Sequence, residues 1–247
     1  MPLPISVVLI ASNEAHQLSR CLAAVEGWVT EIVVVINDCR DGTHAVAKAH
    51  GARVVERAWT NFRDQKAFAT SQAQQPWVLN LDADEVISSE LRTAIEQFVS
   101  ENPQALGAFA RRSWFLGRWI LHGDWYPDCV TRLYRSGTAE WSGTAAHGAL
   151  SSRLPVRRLE GDLLHYPFPD IDSNLRKLIT YTASFAQEEI ERPFRISDVL
   201  LRPTWRFFRA YIVRGGFRDG FPGFFIAWST AFMVFIKYSK LYENRLR

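Results

Sequence analysis

Cysteine is scarce in this 247-residue chain: Cys21, Cys39 and Cys129 are few, far apart and odd in number, and they form no Cys-x-x-Cys pair. That argues against a disulfide framework or a structural zinc site and fits a reducing, cytosolic compartment. The opening residues Met1-Pro2-Leu3-Pro4-Ile5 lack a basic stretch followed by a long apolar one, so no signal peptide is expected. No Gly-x-Gly-x-x-Gly follows the first apolar run, which disfavours a nicotinamide dehydrogenase, and no Gly-x-x-x-x-Gly-Lys-Ser/Thr occurs at all. The six histidines show no His-Glu-x-x-His spacing, which disfavours a zincin, and His16, His44 and His50 read as surface helix residues. Internal repeats and low-complexity tracts are absent. Long apolar runs are short in supply too: the uncharged stretch 220–236 has 17 residues, fewer than the ~20 that span a bilayer.

What is present is a globular composition, 47% hydrophobic and 22% charged, sized for one large domain or one domain with an appendage. Ile5–Ile10 and Glu31–Ile36 are nearly continuous apolar runs of the kind that form strands buried on both faces. Ala52–Val55 and Trp77–Leu81 predict two more strands. Between them, Glu14–Glu26 places Leu18, Cys21, Leu22 and Val25 at helical spacing. A helix follows from an Asp41-Gly42-Thr43 cap to Gly51, and another covers Phe62–Gln74. Ser88 or Ser89 caps a fourth helix with Leu91, Ala94, Ile95, Phe98 and Val99 on one face. Four strand–helix alternations predict an α/β fold with a mostly parallel sheet flanked by helices. From Ala105 to Tyr166, short strand candidates such as Val130–Tyr134 and Leu159–Leu164 extend the sheet, and Asp170–Arg192 reads as one long amphipathic helix.

Ligands of such sheets bind at the carboxyl ends of the strands. The polar residues there are Ser12-Asn13-Glu14, Asn37-Asp38 and Asp82-Ala83-Asp84-Glu85. Two carboxylates at alternate positions, Asp82 and Asp84, reach one small volume, and Mg²⁺ or Mn²⁺ takes oxygen ligands completed by substrate phosphates and water. The bland alternative is a solvated acidic turn. Glu85 reads as a supporting residue rather than a ligand. Ser12-Asn13-Glu14 fits either a base or ribose contact or simple helix capping, and Asn37-Asp38 has the same two readings. Lys66 is either a charge near phosphates or an exposed helix lysine.

Taken together, residues 6–14 (Ser-Val-Val-Leu-Ile-Ala-Ser-Asn-Glu), Asp41-Gly42-Thr43, Gln65-Lys66-x-x-Ala69 and Leu81-Asp82-Ala83-Asp84-Glu85 resemble family 2 glycosyltransferases of the GT-A fold. The likeness runs over roughly residues 5–190, through Gly117-Arg118-Trp119, His122 to Asp128, Arg132-Leu133-Tyr134, His147 and His165-Tyr166. More narrowly it is similar to the bacterial lipopolysaccharide core β-1,4-glucosyltransferase group. The resemblance implies that Ala11, Asn13 and Glu14 line the nucleotide-sugar site with Asn37, Asp38 and Lys66. It implies that Asp82 faces ribose or metal, that Asp84 binds Mg²⁺ or Mn²⁺, and that His165 lies near the metal. The loop His122–Asp128 would face sugar and acceptor, with Trp125 and Tyr126 as flat surfaces. The activity implied is inverting transfer of a hexose, glucose from UDP-glucose, to a lipid-linked saccharide such as lipopolysaccharide core.

Two positions depart from the family pattern. Ile36 stands where relatives carry an aspartate after the second strand, which leaves the nucleotide base open. Gly148 stands where relatives carry an acidic residue after a histidine, a natural candidate for the base that deprotonates the acceptor. Asp128, Asp124 and His147 are then the candidates, Asp128 first, with an Asp128–Arg132 ion pair as the structural alternative.

The last fifth of the chain differs from the rest. Residues 199–247 hold nine basic and two acidic residues, a net of +7 that leaves −4 for the remainder, and 13 of the 32 aromatics. Arg202, Arg206, Arg209, Arg214 and Arg218 interleave with Trp205, Phe207, Phe208 and Phe217, and Lys237 and Lys240 follow the uncharged stretch, whose helix Pro222 and Gly223 are expected to shorten. Such a segment suits in-plane binding to an anionic membrane surface. Packing on the chain's own catalytic domain, a dimer interface and nucleic-acid binding are the alternatives, and the long uncharged stretch disfavours nucleic acid. The expected division is a GT-A domain over 1–168 and a helical, membrane-associating region over 169–247. The expected location is cytoplasmic, peripheral on the inner face of the bacterial inner membrane. Rival functions are a metal-dependent nucleotidyltransferase, which lacks its basic Gly-rich loop here, and a non-catalytic membrane adaptor, which the loss at Gly148 makes thinkable.

Overall fold

Val7, Val8 and Leu9 of β1 (Leu3–Ala11) and Val33, Val34 and Val35 of β2 (Val29–Ile36) are all buried, so neither strand has a solvent face. The structure, a computed structural model, describes residues 1–144 and 148–246. Between these strands α1 (Ala15–Ala23) buries Leu18, Cys21 and Leu22. The alternation continues through α2 (Thr43–Ala49), β3 (Arg53–Glu56), α3 (Phe62–Ser71), β4 (Trp77–Asn80), β5 (Glu85–Ile87) and α4 (Ser89–Glu101). Then come β6 (Leu106–Phe115), β7 (Arg118–Trp119), β8 (Asp128–Arg135), β9 (Glu140–Gly143), β10 (Gly148–Ser151) and β11 (Val156–His165). Three helices close the chain: α5 (Ile171–Glu188), α6 (Ile196–Phe208) and α7 (Gly220–Asn244).

The chain forms two compact units, Met1–Arg111 with Cys129–His165, and Arg112–Asp128 with everything from Tyr166 onward. In the first unit the strand order is β3-β2-β1-β4-β8-β6-β11-β5. The β3-β2-β1-β4 half is parallel, whereas β4–β8 and β11–β5 pair antiparallel. The α/β class and the parallel half agree with expectation. The pleat divides the core: Ile5, Val7 and Leu9 face Leu18, Leu22, Ile95 and Phe98, whereas Val8, Val33 and Val35 face Ala69, Val78 and Tyr134. Ser88 caps α4, its Oγ accepting from Leu91 N at 3.2 Å. Gly161 lets β11 pass directly under that cap: its φ is +85° and a Cβ there would lie 2.3 Å from Leu91 N.

Asp170 and Ser173 form a capping box at the start of α5, and the helix stops at Glu188 rather than running to Arg192. The expected shortening at Pro222 and Gly223 is corrected: α7 starts at Gly220 and runs 25 residues to Asn244. Proline is tolerated in a helix's first turn because its missing N–H would have no partner there. The helical stretch Gly216–Asn244 is the one, among the described residues, long and apolar enough by length and composition to cross a membrane, and 44% of its apolar window is buried within the protein. One side of α7 buries Ile226, Ala227, Thr230, Ala231, Tyr238 and Leu241, while Phe221, Phe224, Trp228 and Phe232 stand exposed on the other.

Candidate functional site

The ends of β1 and β2 are bound together by side chains. Asn13 and Asp38 both adopt left-handed backbone, φ 56° and 41°, which short polar residues tolerate best. Asn13 donates to Asp38 O at 3.4 Å and accepts from Arg40 N at 2.8 Å, and Ser12 Oγ donates to Asn37 O at 2.9 Å. Asp41 sits one place before the capping position of α2 and does two jobs. Its oxygens accept from Thr43 N at 2.9 Å and from Ala15 N, on α1, at 3.1 Å. Hydrogen bonds from the Thr43 hydroxyl and these amides hold its carboxyl below the usual range. Glu14 N donates to Thr43 Oγ1 at 2.9 Å. Ala11, Asn13, Glu14, Asn37 and Asp38 are thus gathered at one edge of the sheet. Beside them is a cavity of about 450 Å³ lined by Ile36, Asn37, Asp38, Cys39, His44, Glu56, Arg57 and Ala58.

The acidic segment follows β4. Leu81 and Ala83 are buried in the core, and Asp82 and Asp84 are half-buried on the alternate positions. The turn closes on itself: Glu85 N donates to Asp82 O at 3.0 Å, and Asp82 N donates back to Glu85 Oε2 at 2.9 Å. Glu85 is fully buried, at 0% exposure, and also takes Arg132 at 3.4 Å and Arg111 at 3.3 Å. Both of its oxygens are thus engaged within the protein.

Asp82 is held by two cations, Lys66 Nζ on Oδ1 at 2.5 Å and Arg132 Nη2 on Oδ2 at 2.7 Å. Burial pushes its carboxyl up, but Arg132 and Lys66 more than offset that and hold it well below the usual carboxylate range. Burial pulls the Lys66 ammonium down, partly opposed by Asp82, and its Nζ lies 5.3 Å from the centre of the Trp141 ring. Lys66 is not the exposed helix lysine of the bland reading. Arg132 belongs to Asp82 and Glu85, partners 50 and 47 residues distant in sequence.

His165 ends β11, and the β11–β5 register pairs it with Glu85. That register brings His165 Nε2 within 3.4 Å of Asp84 Oδ2. Asp84 and His165 are thus brought together, while Asp82 turns to its cations. Among the described residues no three His, Cys, Asp or Glu side chains form a metal-holding group. The pair still offers one hard oxygen and one imidazole nitrogen, a fit for Mg²⁺ or Mn²⁺ whose remaining positions come from phosphate and water.

Asp128 and Asp124 belong to the second unit, and His147 lies outside the described residues. Asp124 is buried at 3% exposure among Arg206, Arg209 and Arg214. Gly148 has a packing reason in the first unit: a Cβ there would lie 3.2 Å from both Arg63 Cα and Trp141 Cε3, so the position has little room for an acidic side chain. The residues not foreseen are Arg132 as the partner of Asp82, Trp141 beneath Lys66, and the Thr70–Asn80–Tyr134 hydrogen-bond network behind them. Arg132-Leu133-Tyr134 stood out as a motif, but nothing local gave its partners.

Residues 6–159 match the family model described as glycosyl transferase family 2. The chain is 30% identical over 261 residues to an uncharacterized glycosyltransferase of Rickettsia felis, covering 98% of this chain and 91% of that protein. It is 28% identical to the lipopolysaccharide core biosynthesis glycosyltransferase LpsC of Rhizobium meliloti, covering 98% and 93%. The crystal structure of S. aureus TarS 1–349 is similar in fold, with a TM-score of 0.50 at 11% identity over 94% of this chain and 90% of that one.

Proposed function

The chain belongs to glycosyltransferase family 2, and from that membership we propose that it transfers a hexose, glucose from UDP-glucose, with inversion onto a hydroxyl of a lipid-linked saccharide of the lipopolysaccharide core type. The likeness to LpsC supports the acceptor class. The observation that carries the donor side is the charge balance at the strand ends. Asp82 and Glu85 meet Lys66, Arg111 and Arg132, and Asp84 stands beside His165, so that three carboxylates share the strand ends with three cations. With these charges cancelled, an added diphosphate needs further positive charge.

Asp84 and His165 would hold Mg²⁺ or Mn²⁺, which when bound neutralises charge growing on the departing diphosphate. Asp82, kept ionised by Arg132 and Lys66, only accepts hydrogen bonds and so suits ribose hydroxyls. Lys66 adds a positive charge beside that contact. Ala11, Asn13, Glu14, Asn37 and Asp38 border the nucleoside, with the cavity beside β2 and β3 open to the base. Asp128 takes the proton from the acceptor hydroxyl; that oxygen bonds to the anomeric carbon as its bond to the diphosphate breaks and UDP leaves. Asp124, enclosed by its arginines, is not assigned as the base. The basic, aromatic second unit supports a cytoplasmic enzyme seated in plane on the anionic inner face of the bacterial inner membrane.

The test is to incubate the chain with UDP-glucose and Mn²⁺, with and without lipopolysaccharide core, and to quantify both phosphate products. Acceptor-stimulated release of UDP is expected. Pyrophosphate release would replace this reading with nucleotidyl transfer. Donor binding without any turnover, acceptor present, would replace it with a non-catalytic adaptor.

A further inference from the structure

Three arginines of the second unit converge on a single carboxylate. Arg206 Nε is 2.9 Å from Asp124 Oδ2, and Arg209 Nη2 and Arg214 Nη1 are 3.3 and 3.2 Å from Oδ1. Their meeting requires a break in helix geometry. Residues five apart on an α-helix are rotated about 140° from each other, which would separate Arg209 from Arg214. The segment Arg209–Val213 is instead a π-helical turn, closed by Arg214 N donating to Arg209 O at 2.8 Å, so Arg214 comes back over Arg209. Such turns are rare and recur at functional sites. The carboxylate is fixed from the other side: Gly123 N donates to Arg214 O at 3.0 Å, and a Cβ at Gly123 (φ +76°) would lie 3.5 Å from Ala210 O.

The cluster is over-supplied with donors. Three guanidiniums carry five N–H groups each, against one acceptor-only carboxylate. Asp124 is enclosed at 3% exposure, whereas the arginine side chains remain 33%, 30% and 45% exposed. Asp124 Oδ2 and Arg206 Nε, though close, are not aligned for a hydrogen bond, and both are buried without one. The cluster keeps a net charge of +2. Burial and the neighbouring Arg209 and Arg214 make Arg206 more acidic than a free guanidinium, Asp124 notwithstanding, and Lys237 is itself depressed by burial and by Arg206. A cluster of cations this crowded is short of negative charge. Around it Trp205, Phe208, Ile212 and Val213 stand exposed, so the donors are ringed by apolar surface.

Resting on the reading of an amphiphilic acceptor at a membrane, we propose that Arg206, Arg209 and Arg214, braced by Asp124, form a binding site for a phosphate group carried on a lipid or lipid-linked saccharide. Forked guanidiniums match the tetrahedral oxygens of a phosphate monoester by paired hydrogen bonds. The exposed aromatic and aliphatic residues take the apolar part of the same molecule. Asp124 holds the three forks in place and keeps them from repelling one another apart.

The experiment is vesicle co-sedimentation of the full chain, with no sugar donor present, so its outcome is independent of transfer. Phosphatidylcholine vesicles carry either phosphatidic acid, a monoester, or phosphatidylglycerol, a diester, matched in surface charge. Binding to the phosphatidic acid vesicles is expected to be about tenfold tighter, and a triple variant R206K/R209K/R214K, which keeps the charge and loses the forks, should bind both alike. Near-ultraviolet circular dichroism establishes that the variant is folded, and the single variant R209K, expected to lose part of the preference, serves if the triple does not fold. Equal binding of both vesicles by the unmodified chain overturns the phosphate site but leaves the membrane reading. Binding to neither vesicle overturns both. Saturation by inorganic phosphate or an oligonucleotide with no vesicle preference overturns the assignment to an amphiphile.

Discussion

Replacing Arg132 with methionine isolates the charge arrangement on which the site is built. Arg132 is buried and contacts Asp82 at 2.7 Å and Glu85 at 3.4 Å. Glu85 is the vulnerable partner, because at 0% exposure it has no water to turn to. Removing one member of a buried ion pair costs about 3–5 kcal/mol, since the other charge is left uncompensated. Arg111 at 3.3 Å and the Asp82 amide at 2.9 Å remain on Glu85, which puts the loss near the lower end, about 3 kcal/mol. For a chain of this size that is a fall in Tm of roughly 6–12 °C. The second half of the test removes the stranded charge. E85Q/R132M should recover at least about half of that loss, a coupling that independent sites do not show. Thermal melts of wild type, R132M, E85Q and the double variant complete the cycle. An R132M chain within about 0.5 kcal/mol of wild type, or a double variant that loses the plain sum of the singles, would refute the idea that Glu85 depends on Arg132.

Asp82 gives a prediction in pH. Its folded carboxyl titrates below its unfolded value, so its contribution to stability is complete above the ordinary carboxylate range and is lost as pH falls through the depressed folded value. The stability gap between wild type and Asp82→Asn should therefore shrink from about pH 5 downward; a gap constant down to acid unfolding contradicts it. Gly161→Ala should cost at least about 3 kcal/mol in a denaturant melt, from strain at positive φ and collision with α4, and a stable G161A chain would mean that β11 can shift away. Asp170→Ala should destabilise the second unit by about 1 kcal/mol, through loss of the α5 capping box, read as increased amide exchange in the first turn of α5.

The parallel half of the sheet was legible because its signal is local. Val7 to Leu9 and Val33 to Val35 are buried on both faces, and such runs announce themselves without knowledge of their neighbours. Asp82 and Asp84 were legible for the same reason, as polar residues placed directly after such a run. The antiparallel half was only partly legible. β5 has three residues, too short for periodicity to register, and its pairing with β11 is set by contacts some eighty residues apart. That pairing is what seats His165 beside Asp84. Arg132 stayed hidden because an arginine on a strand looks the same whether it faces solvent or two buried carboxylates. In the second unit, the aromatics and arginines marked an unusual surface, but the π-helical turn that gathers Arg206, Arg209 and Arg214 has no compositional signature. Helix lengths failed at Pro222, where proline sits in a first turn instead of ending a helix.

The most direct measurement compares UDP release from UDP-glucose by wild type and Asp84→Ala across a Mn²⁺ titration, with thermal melts alongside. If Asp84 and His165 hold the ion that meets the diphosphate, the Mn²⁺-dependent rate falls by at least about a hundredfold while Tm stays close to that of wild type. Unchanged Mn²⁺-dependent release by a folded Asp84→Ala chain would contradict it.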